Sequence, residues 1–203
     1  MKILTAFIFG VSALFNVLMT AESEVKLTRN DGISSVELIS GDIFFEIIDP
    51  EELGFTYRAK PAKDFGVTFN DTFYKKGALL VPVEPSDGCS FPNNAQDIEG
   101  NIALIERGQC SFLSKTIRAQ EAGAIGVIIT DDDESDDSFY IEMIDDNTNR
   151  NPQIPAAFLL GLNGFMIRKT LYELDMKYAV INIPLNMTFI GFHEVKQPPW
   201  LVW

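Results

Sequence analysis

The chain has one histidine and two cysteines in 203 residues. Common zinc sites draw three or four ligands from His, Cys and carboxylates, and imidazole is the side chain that most often moves protons near neutral pH. Both chemistries are short of material here. Bases are scarce too: 16 Lys and Arg stand against 29 Asp and Glu, a formal charge of −13. A phosphate backbone would be repelled, so nucleic acid is not expected as a partner. The usual catalytic signatures are also missing. Gly-x-Ser-x-Gly and His-Glu-x-x-His do not occur, His193-Glu194 lacks the second histidine of a zincin, and Asp71-Thr72-Phe73 lacks the glycine of an aspartic-protease loop. No catalytic, cofactor-binding or metal-binding residue is assigned, and the chain is expected not to be an enzyme.

What is present begins with an apolar run. Lys2 is the only charge before Glu22, and Ile3 to Thr20 is rich in Leu, Ile, Val and Phe, ahead of the small residue Ala21. This is the layout of a secretory signal peptide over residues 1–21. An uncleaved anchor is the competing reading, because the run approaches the ~20 residues that cross a bilayer. No cluster of Lys and Arg flanks it as a stop, so cleavage is expected, leaving a secreted chain with no later membrane span. Residues 22–40 show no legible pattern. In an oxidising compartment Cys89 and Cys110 read as one disulfide, with two buried thiols as the alternative. Asn70-Asp71-Thr72 and Asn186-Met187-Thr188 satisfy the N-glycosylation rule.

The pattern is clearest from Asn101 onward. Residues 101–106 are a short apolar run of strand length stopped by Arg107-Gly108. Ser111 is placed to cap a helix through Ala122, with Phe112, Leu113, Thr116, Ile117 and Ala119 inward, Lys115, Arg118 and Glu121 outward, and Gly123 ending it. Residues 124–130 are nearly all apolar, as in a strand buried on both faces. Strand, helix and strand in about thirty residues predict a βαβ crossover. A second unit of the same kind is expected from strand 154–160, a helix capped by Asn163 over 164–175, and strand 178–183. Before Asn101, residues 43–48, 55–57 and 78–83 are strand-like, with Pro50, Pro61 and Pro85 as breakers. The fold class is α/β: βαβ units whose sheet is completed by antiparallel strands from the N-terminal half.

Ile102-Ala-Leu-Ile-Glu-Arg-Gly108, Cys110-Ser-Phe112, Lys115, Ala122-Gly-Ala124, Val127-Ile-Ile129 and Ile154-Pro155 occur in one order and spacing. In this the chain resembles the protease-associated (PA) domain family. The resemblance extends from about Gly41 to the C-terminus, with flanking Pro61–Gly66, Ser138–Met143 and Gln197–Trp200 similar to a small secreted glycoprotein member. It implies a PA domain over residues 41–190 with a tail over 191–203. In this family the domain accompanies proteases, sorting receptors and ubiquitin ligases as a lid or a binding surface without catalytic residues of its own. The resemblance therefore implies a non-catalytic module that binds a protein or peptide, with an accessory regulator of a separate hydrolase, acting in trans, as the alternative.

The acidic stretch 131–146 holds nine Asp or Glu in sixteen residues and no Lys or Arg. Asp131, Asp133, Ser135 and Glu142 match EF-hand positions, but Asp136 stands where Gly is needed, Phe139 is apolar, and a strand precedes the loop. An EF-hand is excluded; loose Ca²⁺ binding and a solvated loop stay open. Ligands of open α/β sheets sit at the carboxyl ends of parallel strands. That singles out Asp131, Asp132, Asp133, Phe139 and Tyr140 as a candidate interaction surface. Gly161-Leu-Asn-Gly164 reads as helix capping. Trp200 and Trp203 in the tail are either packing or anchors for a partner.

Overall fold

A computed structural model describes residues 41–69, 73–131, 141–187 and 195–201. Residues 1–21, expected as a signal peptide, residues 22–40, Asn70, Asp132, Asp133, Phe139, Tyr140, His193 and Trp203 lie outside the described residues. In chain order the elements are β1 (Ile43–Asp49), a 3-10 turn (Glu51–Leu53), β2 (Thr56–Pro61), β3 (Lys75–Pro82) and α1 (Ala95–Ile98). There follow β4 (Ile102–Glu106), α2 (Phe112–Glu121), β5 (Gly126–Thr130), β6 (Ala156–Leu159), α3 (Gly161–Glu173) and β7 (Ala179–Ile183).

The strands close into a barrel in the order β1-β2-β6-β5-β4-β3-β7, with β7 hydrogen-bonded back to β1. β3, β4, β5 and β6 are mutually parallel, and β2 and β7 run against their neighbours. The predicted β4-α2-β5 crossover is present, with Ile102 to Glu106 in register with Gly126 to Thr130. The expected second crossover is not. After α3 the chain passes to the far side of β3 and enters as β7, antiparallel to both β3 and β1. The pairing closes a barrel and, among the described strands, leaves no open sheet edge, the alternative being a row of unpaired backbone groups. Pro61, expected as a breaker, is the last residue of β2, opposite Ala157.

Alternation along the strands makes two cores. One residue set faces the barrel interior: Phe45, Ile47, Tyr57, Leu80, Leu104, Ile128, Leu159 and Ile181 all belong to one buried cluster. The other faces outward, where Val81, Ala103, Ile105, Val127, Ile129 and Phe158 pack with Leu113 and Ala119 of α2. This two-sided burial is why β5 is buried at all five positions. α2 starts as predicted, with the Ser111 hydroxyl accepting the Ser114 N–H at 3.1 Å. Gly123, at φ +85°, lets the chain turn directly over Glu99.

Two sequence expectations fail on the helices. Lys115 does not face outward; it is completely buried. Asn163 does not cap α3, which begins at Gly161; Asn163 and Gly164 are buried inside its first turn. The reason is contact with the sheet: a Cβ on Gly164 would lie 2.3 Å from Thr130 Cγ2. Gly164 therefore serves close packing rather than capping, and Gly161 is the buried first residue of the helix.

Candidate functional site

The carboxyl ends of β4 and β5, where the sequence places a ligand surface, meet α3. Ile167 and Leu171 of α3 join the interior core, and the helix touches both β5 and the 3-10 turn after β1. It thus lies across this mouth of the barrel, and the open-sheet crevice expected from the sequence is filled.

Charged residues form the rim around it. Arg168 on α3 pairs with Glu106 at the end of β4 at 2.7 Å and donates to Thr130 Oγ1 at the end of β5 at 2.9 Å. Glu106 also accepts from Ser86 at 2.6 Å. Next to them Arg107 pairs with Asp131 at 2.9 Å, and its backbone N–H donates to Thr130 O. Asp131, expected as part of an exposed acidic surface, is only 6% exposed. Its carboxylate is a buried partner of Arg107, which comes alongside from the end of β4. The Arg107 and Arg168 partnerships escaped the sequence reading; a base directly after a strand that ends beside an acid was the available signal.

From residue 141 the acidic stretch is fastened to the body. Met143 is buried in the outer core and its carbonyl accepts from Lys63 N. Glu142 pairs with Lys63 at 3.1 Å and Lys60 at 3.6 Å. The hydrogen bond from Lys63, then the charges of Lys63 and Lys60, hold the Glu142 carboxyl below its ordinary range. Asp64 accepts from Asp145 N at 2.7 Å. Asp146 reaches the start of α2, where it accepts from the Ser111 hydroxyl and pairs with Arg150 at 2.8 Å. Hydrogen bonds from Ser111 and then Thr148, with the Arg150 charge, lower its pKa to about 2. Both carboxylates are ionised at neutral pH.

Cys89 and Cys110 form a disulfide, with Cα atoms 5.8 Å apart. Beneath it the buried Lys115 Nζ donates to Asp87 O and to Gly108 O, the latter at 2.7 Å, and lies 3.5 Å from Cys89 Sγ. One ammonium thus ties together the two backbone segments that the disulfide joins. The i, i+3, i+7 spacing of Phe112, Lys115 and Ala119 could have revealed its inward direction. In the tail, Trp200 packs edge-on against Phe55 and its indole N–H donates to the buried Asn163 Oδ1 at 2.9 Å. Asn186 is exposed just beyond β7. Among the described residues no group of three His, Cys, Asp or Glu is placed to hold a metal ion, and no helix is long and apolar enough to cross a membrane.

The PA domain model matches residues 75–167. PRADC1-like protein of Drosophila melanogaster is 49% identical over 173 residues, covering 84% of this chain and 87% of that protein. The ER degradation-enhancing alpha-mannosidase-like protein 3 of Xenopus laevis is 38% identical over 119 residues, covering 57% of this chain and 13% of that much longer protein. Among solved structures, a zinc aminopeptidase from Bacillus subtilis aligns over 71% of this chain and 31% of its own, at 18% identity and a TM-score of 0.47.

Proposed function

Because the chain belongs to the PA domain family, we propose that it is a secreted, N-glycosylated, non-catalytic PA-domain protein that works by binding a protein or peptide partner. The observation that carries this reading is the state of the carboxyl rim. Glu106 pairs with Arg168, Arg107 pairs with Asp131 and α3 covers the mouth, so the rim is an ordered surface rather than a cleft. The acidic segment with Glu142, Asp145 and Asp146 is fastened to the body beside β2 and the start of α2, and a partner that presents basic groups would suit it. The Drosophila relative, 87% of which is matched, supports a PA module working without a large fused companion. The name of the Xenopus relative refers to ER degradation, which supports a secretory-pathway location. That relative also favours a second reading, an accessory that regulates a separate hydrolase in trans.

Affinity capture from secretory-pathway lysate and medium, followed by mass spectrometry, tests both. A stoichiometric partner whose recovery falls in a Glu142→Lys, Asp145→Lys variant is the expected result, and a hydrolase as that partner selects the accessory reading. Cleavage of peptides or glycosides by the purified chain would overturn both.

A further inference from the structure

The barrel end opposite α3 carries a groove of about 300 Å³ lined by Tyr74, Pro184, Leu185 and Asn186. The strands explain why these residues meet. Lys75, the first residue of β3, pairs with Ile183, the last of β7, so Tyr74 just before β3 comes opposite Pro184 just after β7. Phe73 turns inward and packs on the interior core, which leaves its neighbour Tyr74 outward and 50% exposed. Leu185 is held by donating its N–H to Phe44 O at 2.7 Å. The volume lies at the small end of ligand-sized clefts. One of its walls is the asparagine of the sequon Asn186-Met187-Thr188.

We propose that this groove seats the first N-acetylglucosamine of an N-glycan on Asn186, with the apolar face of the sugar ring against Tyr74 and its flank against Pro184 and Leu185. This rests on the reading that the chain traverses the secretory pathway and is glycosylated. A pyranose ring has an apolar C–H face that suits an aromatic side chain, whose hydroxyl stays in water. Covalent attachment makes the contact intramolecular, so even a weak stacking interaction is populated. The bound sugar would then brace the junction between β3 and β7, one of the two pairings through which β7 completes the barrel.

The test uses full-length protein secreted from a eukaryotic host, with Asn186 occupancy read from the glycopeptide mass. Melting temperatures are compared for the wild type, Tyr74→Ser, Asn186→Gln and the double variant, with the glycans intact or trimmed by an endoglycosidase to one N-acetylglucosamine. Trimmed wild type is expected to melt with the intact form, Asn186→Gln to melt about 2–4 °C lower, and Asn186→Gln to add no loss in the Tyr74→Ser background. Equal losses from Asn186→Gln in both backgrounds would overturn the inference, because the glycan would then act without Tyr74. A bare Asn186 overturns it at its premise and is read from the mass alone.

Discussion

Lys115 carries its amino group inside the protein. A buried ammonium is tolerated when its donors are used, and here carbonyls from just before each half-cystine accept them. Asp146 solves the reverse problem at the same helix, placing a carboxylate at the positive N-terminal end of α2 while binding its cap residue Ser111. Its folded pKa of about 2 lies below the ordinary 3.8. A group depressed on folding stabilises the protein fully above its unfolded value, and that contribution is lost as pH falls through the folded value. Urea unfolding of the wild type should therefore weaken from about pH 4 down to about pH 2, and Asp146→Asn should flatten that slope. Parallel pH profiles for the two proteins would contradict the assignment. Glu142, lowered in the same direction by Lys63, adds to the slope and does not cancel it.

At the scale of elements, α3 determines whether the barrel has an accessible mouth. Gly164 lets the helix approach Thr130 closely enough for Arg168 to reach both Thr130 and Glu106. Alanine in place of a mid-helix glycine normally stabilises by roughly 0.5–1 kcal/mol. At 164 the added methyl meets Thr130, and overpacking of this kind costs about 1–3 kcal/mol. Gly164→Ala should thus lower the melting temperature; a rise would show that the helix can shift away from the strand. α2 makes a contrasting case, since its start at Ser111, its apolar face and its stop at Gly123 are all set by local chemistry.

Over the whole molecule, stability depends on joining segments distant in sequence. β7 completes the barrel by pairing with β1 and β3, about a hundred residues or more earlier in the chain. The disulfide spans a separation of 21 residues that includes α1 and β4. A loop of that order restricts the unfolded chain by roughly 3 kcal/mol in the entropic model. The Cys89→Ser, Cys110→Ser variant should lose about that much in equilibrium unfolding, with an unchanged midpoint as the contrary result. The tail is part of the same closure, because Trp200 braces Phe55 and Asn163 near the covered mouth.

The sequence by itself determined the local units of this protein: the apolar strands β4 and β5, α2 with its cap and stop, and the Arg-Gly turn after β4. Those features depend on periodicity and turn chemistry within a few residues. The resemblance to PA domains was carried by the same stretch. Tertiary structure decided the rest. The direction of β7 follows from which strand it can pair with once a barrel closes, and nothing within residues 178–183 encodes that neighbour. Lys115 turns inward because carbonyls of Asp87 and Gly108 converge on it, and Asp131 is buried because Arg107 comes alongside. In each case the deciding partner lies far along the chain or on another element, so the side chain's role depends on where folding brings that partner.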